Sequence, residues 1–361
     1  MADYKVPLMR PSLPPKEDFI KVVDELWESR MLSNFAKHSQ IMEKTAKDYF
    51  KSDRFFYSAV SCDIALILLL KCFDFPAGSE VLVPSFTFNS TVNGVVWNGL
   101  KPVFVDIDPQ GYGLSLNDVK RKITPKTVAI MGVHIFGNPC QMDELEHIAK
   151  INGLKLIFDA AHAYGSKYNG RHICEYGDAG AFSFSGTKLI TSGEGGLVYI
   201  KDKVIADKFY LARNYGFSGD YNTQMLGLNG KISEFHAALA HLAMGDIDCI
   251  LTRRQSVATR YQAGIKNTAT FQIVKPENLS SYKDFSIAID NRDKVYDYLT
   301  EQGIQTKKYF FPNHMSKYHN FDRGGLEETE KLYNRILCIP IFNDITNEQV
   351  DYVINKINEV I

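Results

Sequence analysis

The chain has 361 residues, of which 45% are hydrophobic and 23% charged. That composition excludes a disordered chain, and the length predicts two cooperating lobes with sizeable cores. Lys and Arg total 41 against 42 Asp and Glu, so no global field recruits nucleic acid and any phosphate must be held by local groups.

The first residues, Met1 to Pro7, lack the apolar core of a leader, and the longest apolar run, 64–70, is far too short to span a bilayer. A soluble protein with no membrane partner is expected. Cys62, Cys72, Cys140, Cys174, Cys249 and Cys338 include no C-x-x-C pair and no metal spacing. This predicts no disulfide framework and no metal site, in a reducing cytoplasm.

From about Glu80 onward, short apolar or β-branched runs alternate with helix-length amphipathic segments. Strands are expected at 80–83, 102–106, 128–132, 154–159, 179–184 and 196–200. Between them lie helices such as 141–152, whose Met142, Leu145, Ile148 and Ala149 recur at helical spacing. The pattern is that of parallel strands joined by crossover helices, an α/β fold. Residues 231–266 read as one helical stretch without an interior proline, and beyond it shorter strands mix with helices. The lobe boundary is placed there: 1–245 for an N-terminal segment and the large domain, 246–361 for a smaller C-terminal domain. Residues 346–361 should form a packed terminal helix through Val350, Val353, Ile354, Ile357 and Val360.

Two passages carry chemistry. In Leu156-Ile-Phe-Asp159-Ala-Ala-His162, an acid follows an apolar strand, so it lands at the carboxyl end of the sheet, where open α/β folds bind ligands. In Phe182-Ser-Phe-Ser-Gly-Thr-Lys188, a strand runs into hydroxyl and small residues, one lysine, and then Gly193-Glu-Gly-Gly196. Such a loop lets backbone approach a ligand closely and can desolvate an amine enough for Schiff-base chemistry. A lone lysine is ordinarily a solvated surface residue. Asp159 tips that balance: enzymes that use pyridoxal 5′-phosphate (PLP) need a carboxylate against the pyridine nitrogen, because the protonated ring is the electron sink. The two residues sit at the ends of neighbouring expected strands.

With these passages the chain resembles the DegT/DnrJ/StrS family of PLP-dependent nucleotide-sugar aminotransferases, nearest to its dTDP-keto-6-deoxyhexose members such as viosamine synthases. The resemblance runs from about Arg10 to the C-terminus, through Asp159-Ala-Ala-His-Ala-Tyr-Gly-Ser166, Pro84-Ser-Phe-Thr-Phe-Asn89, residues 97–109, residues 133–139 and Gly227-Leu-Asn-Gly-Lys-Ile-Ser-Glu234. It implies the PLP-dependent transferase fold type I (aspartate aminotransferase-like), with a mainly parallel sheet in the large PLP-binding domain and a smaller α/β C-terminal domain.

Carried over by position, the resemblance implies that Lys188 forms the Schiff base with PLP and that Asp159 holds the pyridine nitrogen. It implies further that Phe88 stacks on the ring, that His162 stands near the ring hydroxyl, and that Ser183 binds the phosphate. Alone, His162 would read as a satisfied core histidine and Ser183 as a strand hydroxyl bonded to backbone. Asn229 resembles an asparagine that reaches the phosphate from a neighbouring subunit, which implies a homodimer with shared active sites. Where relatives usually read S-G-T-x-A-L, this chain has Ser61-Cys62-Asp63-Ile-Ala-Leu66. The amides of Cys62 and Asp63 can still face phosphate at a helix N-terminus, but the Asp63 carboxylate repels it unless turned away as a cap. Ser33-Asn34-Phe35 departs from the family's usual glycine as well.

The implied reaction takes an amino group from L-glutamate, passes through pyridoxamine 5′-phosphate, and delivers it to a nucleotide-linked 4-keto-6-deoxyhexose, dTDP-4-keto-6-deoxyglucose in first place. The alternatives are the 3-keto isomer, or a catalytically silent PLP-fold regulator or binding protein. Retention of lysine at 188, where dehydratase relatives carry histidine, favours transamination. Thr306-Lys-Lys-Tyr-Phe-Phe-Pro-Asn-His314 resembles the segment that lines the substrate side. Lys307 or Lys308 is placed against the diphosphate, Tyr309 or His314 against the sugar; a charged strand start with packed aromatics explains each equally well. No G-x-G-x-x-G follows an early strand, against a nicotinamide enzyme. The pathway implied is surface-glycan (O-antigen) or antibiotic sugar synthesis.

Overall fold

The computed structural model describes residues 4–266, 268–319 and 325–361. The strands are β1 (Phe55–Ala59), β2 (Glu80–Pro84), β3 (Lys101–Val105), β4 (Thr127–Val133), β5 (Lys155–Asp159), β6 (Lys167–Tyr168), β7 (Arg171–His172), β8 (Ala179–Ser183), β9 (Gly196–Ile200), β10 (Thr270–Phe271), β11 (Phe285–Ala288) and β12 (Ile336–Ile339). In the first part of the chain the helices are α1 (Lys16–Ser29), α2 (Lys37–Phe50), α3 (Cys62–Cys72), α4 (Asn89–Trp97), α5 (Leu116–Lys122), α6 (Met142–Ile151) and α7 (Lys203–Ala212). After them come α8 (Glu234–Met244), α9 (Ile247–Gly264), α10 (Arg292–Glu301), α11 (Glu327–Arg335) and α12 (Asn347–Val360).

A seven-stranded sheet in the order β1-β9-β8-β5-β4-β2-β3 forms the centre. Its inner strands are apolar throughout rather than alternating because helices cover both faces. Residues of α2, α5, α6, α8 and α9 pack on one face, and those of α3, α4 and α7 on the other. The strands expected from 80 to 200 are all present, and β2, β3, β4, β5 and β8 pair in parallel as foreseen. β9 departs from that pattern by running antiparallel to β8. The stretch between Ser183 and Gly196 contains no helix, and a parallel return needs a crossover of a dozen or more residues, usually helical. The edge strand β1, antiparallel to β9, was not anticipated from the sequence.

A second sheet, β10-β11-β12, is antiparallel. Its core draws Val257, Ala258 and Tyr261 from α9, Val295 and Leu299 from α10, and Val350, Val353, Ile354 and Ile357 from α12. Val6 joins this core and bridges Ile304, so the first described residues run with the second sheet. The single helix expected over 231–266 is two helices, because α8 ends at Gly245 and α9 starts after Asp246. The two serve different cores: Ala237, Ala240 and Met244 face the large sheet, whereas α9 continues to the small one. We propose this break, at 245/246, as the division between the lobes. Among the described residues no helix is long and apolar enough to cross a membrane, and no group of three or more His, Cys, Asp or Glu is arranged to hold a metal ion.

Candidate active site

At the carboxyl ends of β2, β4, β5 and β8, against the N-termini of α3 and α4, lies a cavity of about 330 Å³. The structure brings Cys62, Asp63, Phe88, Asp159, His162, Ser183 and Lys188 together around it. Seven residues read from four separate stretches of sequence thus share one site. Phe88, the residue preceding α4, is 56% exposed, a flat apolar ring left uncovered at the mouth.

Asp159 ends β5 and is buried. Its Oδ1 accepts the Ala161 N–H at 3.0 Å and its Oδ2 accepts the Thr91 hydroxyl at 2.6 Å. Since that bond uses the Thr91 proton, the Thr87 hydroxyl, 2.8 Å away, donates to Thr91. Burial raises the Asp159 carboxyl above the usual carboxylate range, opposed by these two hydrogen bonds and by the charge of Lys188. A fixed, desolvated acid of this kind is suited to share a proton with a basic ring nitrogen.

Lys188 lies in the turn after β8, its N–H donating to the Ser185 carbonyl at 2.9 Å. Burial, and then the charge of Lys283, push its amine from 10.5 down to about 8. About one amine in ten is therefore neutral at pH 7. Lys283 is buried too, its Nζ at 3.0 and 2.9 Å from the carboxylate oxygens of Asp284.

The ring of His162 is fixed by the backbone. Its Nδ1 accepts the Phe136 N–H at 3.2 Å, which assigns the ring's own proton to Nε2. Phe136 and Phe310 flank it at centroid distances of 6.2 and 6.1 Å. Burial, aided by Lys188 and Lys283, holds its pKa well below 6.5. The imidazole is neutral, with Nε2–H as its donor.

At the other end of the cavity, α3 begins with Cys62 and Asp63, whose N–H groups have no intrahelical partner. Ser61 caps the helix, its Oγ accepting the Ile64 N–H at 3.2 Å. Ser183 adds a hydroxyl from the end of β8. The glycine-rich loop serves differently from the sequence expectation at Gly196. A side chain there would meet the backbone carbon of Ser61 at 2.7 Å and the nitrogen of Cys62 at 2.8 Å, so this glycine admits the start of α3 rather than a ligand.

The sequence profile of the DegT/DnrJ/EryC1/StrS aminotransferase family matches residues 15–358. The chain belongs to this family. It is 29% identical to the dTDP-4-amino-4,6-dideoxy-D-glucose transaminase of Shigella dysenteriae, over 97% of this chain and 98% of that protein. To the dTDP-3-amino-3,6-dideoxy-alpha-D-galactopyranose transaminase of Aneurinibacillus thermoaerophilus it is 32% identical, over 81% of this chain and 82% of that one. The crystal structure of DesI in the presence of its TDP-sugar product superposes with a TM-score of 0.92 at 28% identity, covering 99% of this chain and 93% of DesI. The fold is the PLP-dependent transferase fold type I, and the protein is a PLP-dependent aminotransferase. Its donor set fits that cofactor: a desolvated amine, a buried acid held by two hydrogen bonds, an uncovered aromatic ring, and helix N–H groups beside a hydroxyl.

Beside the first cavity, and sharing Thr87, Phe88 and Phe310 with it, the aminotransferase has a second of about 560 Å³. Lys307, Lys308 and Tyr309 line it. The two lysines differ. Lys308 is held by Asp293 at 2.6 Å and lies 4.2 Å from the Tyr296 ring centroid, whereas Lys307 is exposed and rests on the Tyr309 ring at 4.5 Å. His314, the alternative to Tyr309 against the sugar, lines neither cavity. It is buried: Nδ1 lies 2.6 Å from Ser85 Oγ, Nε2 lies 3.2 Å from Glu330 Oε1, and its backbone N–H donates to Ser85 Oγ at 3.0 Å. Asn313 reinforces this contact by donating to the Thr87 carbonyl at 2.8 Å, so the pair fixes the loop that carries Phe88. Asn229 is exposed and lines neither cavity of its own chain.

Sequence reading missed Thr91, Phe310 and the Lys283–Asp284 pair. Thr91 carried a signal, because it stands in the first turn of the helix that follows the Pro84–Asn89 motif and so faces the strand ends. Phe310 stands inside the Thr306–His314 stretch, next to Tyr309, while Lys283 comes from distant chain with no motif of its own.

Proposed function

We propose that this aminotransferase moves an amino group from L-glutamate to the ketone of a nucleotide-linked 4-keto-6-deoxyhexose, with dTDP-4-keto-6-deoxyglucose the first candidate. The observation that carries the reading is that Lys188 and Asp159 line one cavity that adjoins a larger one bearing an exposed cation, Lys307. The likeness to a 4-amino-sugar transaminase over nearly the whole chain supports the 4-keto choice. The 3-amino relative keeps the 3-keto isomer as the second reading. A silent binding protein would have no need of a desolvated amine opposite a buried acid.

When bound, pyridoxal phosphate supplies an aldehyde carbon to carry the amino group and a ring to take up an electron pair. In its neutral form, Lys188 Nζ is the nucleophile that holds the cofactor. Freed by the incoming amine, it would be the base that moves a proton between the substrate's α-carbon and the cofactor's aldehyde carbon. Asp159 would keep the proton on the ring nitrogen, Nε2–H of His162 would donate to the ring oxygen, and Phe88 would cover one ring face. Ser183 and the N–H groups of Cys62 and Asp63 receive the phosphate. Asn229 completes this end from a second copy of the chain. The exposed Tyr215, Tyr221, Leu226 and Leu228 around it are suited to burial in such a homodimer.

In the substrate cavity Lys307 meets the diphosphate and Tyr309 the sugar, while Lys308 is already paired. With L-glutamate as donor, the protein should aminate dTDP-4-keto-6-deoxyglucose at least about tenfold more efficiently than the 3-keto isomer, as read by product mass and NMR. Lys307→Ala should raise KM for the sugar about tenfold with little change in kcat, and Lys308→Ala less. A reversed preference between the two ketones would transfer the assignment to the 3-keto sugar, and amination of neither would remove it.

A further inference from the structure

Asp63 brings to the cavity a carboxylate that the transfer reaction does not use. It is the second residue of α3, beside the N–H groups that can receive phosphate, and it lines the cavity. The helix does not need it as a cap, since Ser61 fills that role. Its Oδ1 is buried and has no hydrogen-bond partner among the described residues. A buried carboxylate oxygen without a donor is costly, and a nearby cation is the common remedy. Among the described residues, Lys188 is the one Lys or Arg lining the cavity, and the other acids there are Asp159 and Glu194.

A phosphate at the start of α3 would bring its oxygens to the same helix end as Oδ1. Two bare anions repel each other there, while a single proton between them removes the repulsion and gives Oδ1 its missing partner. We propose that Asp63 makes cofactor binding proton-coupled: the phosphate enters the α3 N-terminus together with one proton, held between a phosphate oxygen and Oδ1. The inference rests on the PLP assignment above. A phosphate monoester loses its second proton near pH 6, as an order of magnitude set by phosphorylated side chains at about 6. Above that pH the shared proton comes from solvent, and affinity falls about tenfold per pH unit. Nothing is oxidised or reduced, and no covalent bond to phosphorus changes.

Other ionisable side chains line the same cavity: Cys62 on its own helix, Asp159 and His162 from the end of β5 onward, and Lys188 and Glu194 after β8. The proton is therefore counted as a difference between parent and variant. The experiment is calorimetric titration of pyridoxamine 5′-phosphate, which carries ring and phosphate but forms no bond to Lys188, into the cofactor-free full chain at pH 7 to 9. Buffers of different ionisation heat report the protons taken up. At pH 8 the parent should take up about one proton more than Asp63→Asn or Asp63→Thr, and each variant should bind at least about tenfold more tightly. Equal proton counts, or variants that bind no more tightly than the parent, would overturn the proposal. Absence of binding by parent and variants alike would overturn the cofactor assignment beneath it.

Discussion

Lys188→Ala is expected to lower turnover by about 10⁴-fold or more and to remove the lysine-linked visible absorbance, with the fold intact. Both proposed tasks of the residue, holding the cofactor and carrying a proton, fall on the same Nζ, and base catalysis alone contributes about 10²- to 10⁴-fold. Among the described residues no second amine lines the cavity to take over. In the parent, burial and Lys283 set the amine at about 8. At saturating cofactor, the rate of attachment should therefore rise about tenfold per pH unit below that value, as the neutral form grows, and level off above it. Stopped-flow absorbance reads this directly. Activity in the alanine variant within tenfold of the parent would remove Lys188 from the chemistry.

The second large effect is expected at Asp159. Asp159→Asn keeps the size and the Ala161 contact but substitutes a neutral amide for the acid that shares the ring proton. A drop in kcat of about 10²- to 10³-fold is expected, with the cofactor still bound and its visible band now titrating with pH. Thr91→Val leaves the acid in place and removes only the 2.6 Å hydrogen bond. A bond to a charged group is worth about 1.5–3 kcal/mol, so this variant should lose roughly tenfold or somewhat more. Equal loss in both variants would mean that Asp159 acts through packing rather than charge.

Asp159 and Lys188 were legible because each belongs to a contiguous motif at the end of an apolar strand, and their strands are neighbours in the sheet. The same local logic located the expected strands between 80 and 200. It fell short where something other than local composition makes the decision. β9 has the composition of a buried strand whichever way it runs, and its direction follows from the short return after β8. Residues 231–266 keep one periodicity although Gly245 divides them between two partners. His314 sits in a stretch that resembles a substrate wall, yet its ring is used by Ser85 and Glu330. Gly196 advertises a close approach without telling that the approaching group is the backbone of α3. Asp63 was visible as a departure, but only the cap at Ser61 shows that its carboxylate is left over.

The most direct test of the central claim is a spectrum of the PLP-loaded protein taken first after L-glutamate and then after dTDP-4-keto-6-deoxyglucose, without turnover. The visible band should disappear with glutamate, one 2-oxoglutarate forming per site, and return when the keto sugar is added, with one amino sugar formed per site. A band that glutamate leaves unchanged, or one that the keto sugar fails to restore, would contradict the assignment of amino transfer to this sugar.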